Sequence, residues 1–217
     1  MTEEAIEIYK NLNQYLDQAL VEYSNADHIS TLLEAKKEYF SITGQANEDD
    51  EDFESRMTSF NDWYLLQFVS KSGTRTIIKD FIKKYDIPDN FKECLLNVKF
   101  SLFEYTGKNF GGKDVLKDIH YNQKYILPKP QENKNQLPLI KNDLFLGRIL
   151  TVGDTHYVLD GICVLPKDVK SILRKESKKV RKMEDVFEDN KFLLNIEACK
   201  NKWLRYGHID INNIFQF

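Results

Sequence analysis

The sequence has few cysteines, and none is placed for a disulfide or a metal site. Among 217 residues there are three, Cys94, Cys163 and Cys199, with no C-x-x-C pair and no Cys/His group at metal-ligand spacing. Scattered cysteines in odd number are typical of buried free thiols in a reducing compartment. We therefore expect a cytoplasmic protein that folds without disulfides and binds no metal.

Long apolar runs and catalytic motifs are also absent. No stretch approaches the roughly 20 residues that a membrane span needs, and residues 1–6 do not begin a secretory signal. The phosphate-loop, dinucleotide-binding, zinc-protease and nucleophile-elbow patterns do not occur. We expect no membrane association and no cofactor, and no catalytic residue is indicated, although an enzyme is not excluded.

Charge of one sign is not in large excess, because the net charge is only −3. A high pI, the usual sign of a polyanion-binding protein, is therefore missing. The charge is nevertheless unevenly distributed: residues 48–54 are acidic, and residues 167–182 are basic. The chain is electrically polarised.

Hydrophobic periodicity predicts an α+β protein in three parts. Apolar residues recur every three or four positions over residues 1–97, which predicts a helical subdomain of about five helices. From Val98 the period changes to two, and short strands over 98–166, with a tight turn at Gly153-Asp154, predict a small SH3-like or otherwise bent β-barrel. A proline-bearing loop is expected at 129–138, and a basic amphipathic helix with an apolar C-terminus over 167–217.

The basic helix is the candidate binding surface. Its basic face is either a solvated surface or a site for an anionic partner, which could be nucleic acid, an acidic protein or the acidic loop of the chain itself. The residues predicted to contact such a partner are Lys170, Arg174, Lys175, Lys178, Lys179, Arg181 and Lys182. We interpret the protein as a non-catalytic interaction or regulatory module with a protein partner, and nucleic-acid binding through this helix is the alternative.

A third hypothesis is a metal-assisted hydrolase. Asp154, His156 and Asp160 are spaced evenly, so that one face of an unbroken strand would carry all three. Turns at Gly153-Asp154 and Asp160-Gly161 account for the two aspartates equally well. The pattern therefore favours structural roles over a catalytic site.

The C-terminal segment is too apolar for a disordered tail. Because a segment that buries such side chains gains enough to offset the entropy of ordering, we expect it to be docked. The docking residues are predicted to be Trp203, Ile209, Ile211, Ile214, Phe215 and Phe217. Docking on the chain itself is favoured over docking on a partner or a second copy, and the oligomeric state is left open.

Several segments together resemble a bacterial protein family without an assigned activity, some of whose members are joined to SEC-C zinc motifs. The matching segments are 56–65, 73–81, 100–105, 113–119 and 143–148 leading to 159–161. The resemblance implies a helical region followed by a small β-barrel, and it carries over no catalytic residue. Because this chain lacks the clustered cysteines of a SEC-C motif, the resemblance does not imply zinc binding here.

Overall fold

The computed structural model describes residues 3–71, 73–129 and 139–217, with side chains from residue 7 onward. The predicted loop at 129–138 therefore lies, apart from Lys129, outside the described residues. The helices are α1 (Glu3–Tyr23), α2 (Ile29–Thr43), α3 (Phe53–Leu66), α4 (Ile77–Lys84), α5 (Asp89–Leu96), α6 (Lys170–Arg181), α7 (Val186–Arg205) and α8 (Ile211–Ile214). Short 3₁₀ turns at Ala26–His28 and Lys167–Val169 precede α2 and α6.

The strands form one antiparallel sheet. They are β1 (Lys99–Lys108), β2 (Asp114–Asp118), β3 (Lys124–Ile126), β4 (Leu144–Val152), β5 (Thr155–Val158) and β6 (Cys163–Leu165). Their order is β3-β2-β1-β4-β5, with β6 also paired to β4. The sheet curls into a half-barrel. The predicted α+β class with a small bent barrel is therefore confirmed.

The hairpin between β4 and β5 shows how the local sequence sets the register. Val152 pairs with Thr155, so that Gly153 and Asp154 are the two turn residues. Gly153 has a φ of +54°, which a glycine adopts without the steric cost that a side chain would bring. The turn predicted at this position is therefore present, and it fixes which β4 residues face the helices.

The two faces of the sheet bury different cores. The main core joins one face to the helices, and it includes Leu146 and Leu150 of β4. Phe145 and Ile149, the alternating residues of the same strand, belong to a smaller core on the opposite face. Trp63 of α3 is buried in the main core, where its ring packs against Tyr39 and Phe68. All three segments predicted from the sequence contribute to this main core.

The C-terminal helix α7 packs against the N-terminal helix α2. Asp185 caps α7 by accepting a hydrogen bond from the Phe187 amide, and Asp210 caps α8 in the same way. Further along α7, the Asn201 side chain donates to the Thr43 carbonyl at the end of α2. Within the described part of the chain, no helix is both long enough and apolar enough to cross a membrane.

Candidate functional site

Two salt bridges attach the basic helix α6 to the sheet. Leu173 is buried on the inner face of the helix. Lys170 and Arg174 both form salt bridges with Glu104 of β1, whose side chain is 7% exposed. Since a buried carboxylate is costly unless it is paired, these two cations are required by the fold itself.

Two further cations of the predicted surface are also engaged. Arg181 donates to the backbone carbonyl of His120, and Lys179 pairs with Glu176 on the same helix at 2.7 Å. Lys175, Lys178 and Lys182 are exposed, and no ion pair connects them to any residue that the structure describes. The basic surface free for a partner is therefore narrower than the sequence predicts.

Exposed apolar side chains follow directly after the three free lysines. Met183, Val186 and Phe187 lie in the connection to α7 and its first turn, with exposed fractions of 58%, 71% and 70%. Clustered exposed apolar residues of this size mark interaction sites more often than scattered ones do. We call this set the basic–apolar surface: Lys175, Lys178, Lys182, Met183, Val186 and Phe187.

The acidic loop does not cover this surface. Asp50 lies 3.7 Å from Arg56 and 3.8 Å from Arg205, and Asp52 pairs with Lys200 of α7. The acidic segment thus neutralises cations of α3 and α7. Pairing between the basic helix and the chain's own acidic loop, one of the alternatives from the sequence, is therefore not what the structure shows.

The three residues of the hydrolase hypothesis do not group as metal ligands, although Asp154 lies near enough to His156 for its charge to raise the pKa of the imidazole against the effect of burial. His156 Nδ1 lies 3.0 Å from Thr151 Oγ1, and burial lowers the pKa of this imidazole. Asp160 instead contacts the Tyr9 hydroxyl of α1 at 3.4 Å. β5 ends at Val158, so that the unbroken strand assumed in this hypothesis does not extend to Asp160. Nowhere in the described ranges do three His, Cys, Asp or Glu side chains group as metal ligands.

The C-terminal segment docks on the chain itself, but not through all six predicted residues. Ile214 and Phe215 are buried in the main core at 4% and 2% exposure. Trp203 and Ile211 are partly buried against it. Ile209 and Phe217 remain exposed, although the Phe217 ring touches Phe192 of α7.

A cleft of about 420 Å³ opens between α3, α4, α5, the start of β1 and the first turn of α7. This volume falls within the range of small-molecule sites. Its apolar lining includes Leu96, Phe100 and Val186, and its polar lining includes Lys99 and Asn190. No sequence motif marks these residues, because they come from distant segments that only the fold brings together.

A buried arginine lies behind this cleft. Arg148 of β4 is fully buried, its guanidinium carbon lies 4.4 Å from the centre of the Phe100 ring, and its Nε donates to Gln67 Oε1 at 2.9 Å. Gln67 Nε2 in turn donates to Asn190 Oδ1 at 3.1 Å. The two terminal guanidinium nitrogens find no hydrogen-bond partner among the described residues.

Two carboxyl groups accompany Arg148 in the interior. Glu197 of α7 accepts a hydrogen bond from the Tyr39 hydroxyl at 2.7 Å, and burial raises its pKa against the opposing effects of Tyr39 and Arg148. Burial also raises the pKa of Asp62 in α3 to about 6, with Arg148 acting against the shift. The permanent positive charge of Arg148 is therefore accompanied by two carboxyl groups that hold protons more tightly than usual.

A second polar cluster borders the cleft. His120 is fully buried, and its Nε2 lies 2.8 Å from Asp189 Oδ1. The Tyr121 hydroxyl donates to Asp189 Oδ2 at 3.1 Å, and the Tyr121 ring lies beneath the Lys99 ammonium at 4.0 Å. Because His120 has no exposed atom, the pair holds the β2–β3 turn against α7 and does not present a base to a substrate.

A second groove, between α1 and α4, is wider but offers less chemistry. Glu22 on its wall accepts hydrogen bonds from Lys84 at 2.5 Å and from the Tyr85 hydroxyl at 2.6 Å. These three groups thus satisfy one another, whereas Lys10 and Asp17 of the same groove form no ion pair with a described residue. The cleft is the better candidate because its wall contains Thr76 Oγ1, a buried polar atom with no hydrogen-bond partner among the described residues. The basic–apolar surface is a candidate because it joins unpaired lysines to exposed apolar side chains.

Sequence reasoning missed Arg148, Asp62, Glu197 and the cleft. One signal was present: Arg148 interrupts the apolar strand Leu144–Val152 at a position on the same face as Leu146 and Leu150. Asp62 and Glu197 give no such signal, because charged residues on helices usually face solvent.

Comparison of the chain with models of protein families, with curated proteins and with solved structures finds no match.

Proposed function

We propose that this protein is a non-catalytic interaction module that binds an acidic segment of a partner protein through the basic–apolar surface. The observation that carries the proposal is that Lys175, Lys178 and Lys182 lack partners among the described residues while neighbouring cations are used inside the fold. The three ammonium groups lie between the middle of α6 and its C-terminal end, and they attract carboxylates. The adjoining Met183, Val186 and Phe187 add apolar area that a partner can bury.

A protein partner fits this surface better than nucleic acid does. Of the lysines on the predicted basic face, only three have no partner among the described residues, and each phosphate contact contributes to nucleic-acid affinity mainly through counterion release. The net charge of −3 opposes nonspecific attraction to a polyanion. Exposed aliphatic and phenyl side chains gain most from contact with other apolar side chains, which an acidic peptide with leucine or phenylalanine supplies.

The test uses two labelled peptides, one in which glutamate alternates with leucine and phenylalanine, and one in which serine replaces the apolar residues. We expect fluorescence anisotropy to show tighter binding of the first peptide. Raising the salt from about 0.1 M to about 1 M should weaken it, since the Debye length shrinks from about 10 Å to about 3 Å. Equal binding of both peptides, or no binding of either, would contradict the proposal.

Charge-reversed variants provide the matched control. Lys175→Glu, Lys178→Glu and Lys182→Glu together should abolish peptide binding. A second triple variant makes the same change of charge at three exposed lysines elsewhere on the surface, and it should leave peptide binding intact. Its substitutions are Lys10→Glu, Lys37→Glu and Lys83→Glu. A single-stranded RNA and a duplex DNA are measured in parallel. If either binds more tightly than the peptides and loses affinity only in the first triple variant, the partner is nucleic acid and the proposal is wrong.

A further inference from the structure

The cleft presents hydrogen-bond donors that the protein does not use. The Lys99 ammonium lies over the Tyr121 ring and has no carboxylate within salt-bridge distance among the described residues. Thr76 Oγ1, at the start of α4, is buried in the cleft wall and lacks a hydrogen-bond partner there. A buried hydroxyl without a partner costs free energy in the unliganded protein, and a ligand that accepts from it would recover that cost.

The orientation of a third donor is set by the buried arginine. Arg148 can only donate, so Gln67 must turn its carbonyl oxygen toward Arg148 Nε. The Gln67 amide nitrogen then points to Asn190, which must offer its own oxygen. This leaves the Asn190 NH₂ group for the cleft, and it has no other partner in the described part of the chain. The permanent charge of Arg148 thus determines, through the Gln67 and Asn190 amides, that Asn190 presents a hydrogen-bond donor to the cleft.

The acceptor in the same wall is already satisfied. Both oxygens of Asp189 are engaged, one with His120 and the other with Tyr121. The remaining lining includes the polar side chains Gln67 and Lys79 and the apolar side chains Leu66, Ile78, Val98 and Phe100. The cleft therefore offers donors and two lysines, Lys79 and Lys99, that form no ion pair with a described residue, together with aliphatic and phenyl surface.

We propose that this cleft binds a singly charged carboxylate that carries an apolar chain or ring. Lys99 and Asn190 hold the carboxylate oxygens, Thr76 donates an additional hydrogen bond, and the apolar walls surround the remainder of the ligand. The inference is independent of the basic–apolar surface, apart from Val186, which belongs to both. The carboxylate can belong to a free acid or to the C-terminus of a peptide, and the experiment distinguishes these two sources.

Isothermal titration of the full chain tests the proposal with octanoate, octanol and octylamine. Octanoate should bind with a Kd of roughly 1 mM or tighter, which is reasonable for about ten non-hydrogen atoms. Octanol and octylamine should bind at least about 10-fold more weakly, since neither provides a charged acceptor. An acetylated dipeptide ending in leucine is compared with its C-terminal amide. Preference for octanoate identifies a free acid, and preference for the free peptide carboxylate identifies a chain terminus.

Two variants test the assigned donors. Lys99→Met keeps the aliphatic stem and removes the charge, and Asn190→Asp still accepts from Gln67 but turns a carboxylate oxygen to the cleft. Each should weaken binding of the preferred carboxylate at least about 10-fold. Lys83→Met removes the same charge from the far end of α4 and should not change the Kd. Thermal unfolding of each variant verifies folding, and either donor variant alone suffices if the other does not fold.

The proposal is overturned by three results. One is octylamine or octanol binding as tightly as octanoate. Another is the same Kd for Lys99→Met, Asn190→Asp and Lys83→Met. The third is the absence of measurable binding of every carboxylate at concentrations up to about 10 mM. A Kd above that concentration would be weaker than ligands of this size achieve in a fitting site.

Discussion

Replacing Asp62 by asparagine should remove a pH dependence from the stability of this fold. The Asp62 side chain lies on α3 against Gly161, and its Oδ2 is shielded from solvent without a hydrogen-bond partner among the described residues. Burial raises the pKa of its carboxyl from 3.8 to about 6, with the positive charge of Arg148 opposing the shift and the negative charge of Asp160 adding to it. Asparagine has nearly the same shape and does not ionise.

The direction in which stability changes with pH follows from the direction of the Asp62 pKa shift. Because the pKa is higher in the folded than in the unfolded state, the folded protein holds this proton more tightly. The stabilisation is complete below about pH 4 and is lost as the pH rises through about 6. A shift of about two units corresponds to roughly 3 kcal/mol in the free energy of unfolding. The difference in stability between Asp62→Asn and wild type should therefore increase by about that amount from pH 4 to 7.

Urea unfolding at a series of pH values, followed by the fluorescence of the buried Trp63 and the partly buried Trp203, measures this difference. Glu197 also has a raised pKa, but it is present in both proteins, so that its contribution cancels. Asp17→Asn, at an exposed position on α1, is the control and should show no such trend. If the difference between Asp62→Asn and wild type stays constant over this range, Asp62 titrates like an exposed carboxyl, and the argument for a buried charge cluster fails.

Three further predictions concern packing and burial. Phe215→Ala should cost about 3–5 kcal/mol and lower the melting temperature by several degrees, whereas Phe217→Ala, at a side chain that is 45% exposed, should cost well under half as much. Comparable melting curves for the two variants would show that the tail is not docked as described. Gly161→Ala should destabilise by about 1–3 kcal/mol in urea unfolding, because its β-carbon would lie 2.3 Å from Asp62 Oδ2 and 2.9 Å from the Ser59 backbone, and unchanged stability would contradict this close approach. Cys94 and Cys163 should resist a thiol reagent in the native protein, since both are buried and burial raises both pKa values, that of Cys94 to about 12. Cys199, which is only partly buried, should react first, and equal rates for all three would be inconsistent with this structure.

The free lysines and the cleft suggest different kinds of partner. The basic–apolar surface consists of exposed side chains, which suits a segment of another protein. The cleft is concave and small, which suits a ligand or a chain end. The experiments on the two sites use different variants, so that failure of one proposal leaves the other open to its own test.

The sequence by itself determined the secondary structure and the class of fold. The helical periodicity of α1 and α3, the change to a period of two at Val98 and the Gly153-Asp154 turn are local patterns, and local patterns act through a few neighbouring residues. The apolar C-terminus also predicted docking from composition alone, and Ile214 and Phe215 are indeed buried.

Only the tertiary structure decided which charges are free and which are used. Lys170 and Lys178 are equivalent in the sequence pattern, but Glu104 of a distant strand lies beside the first and not the second. The same reason separates Arg148, Asp62 and Glu197 from ordinary surface residues: three elements far apart along the chain bring them into one interior. Charge interactions depend on distance and on the surrounding dielectric, and neither is fixed until the chain has folded.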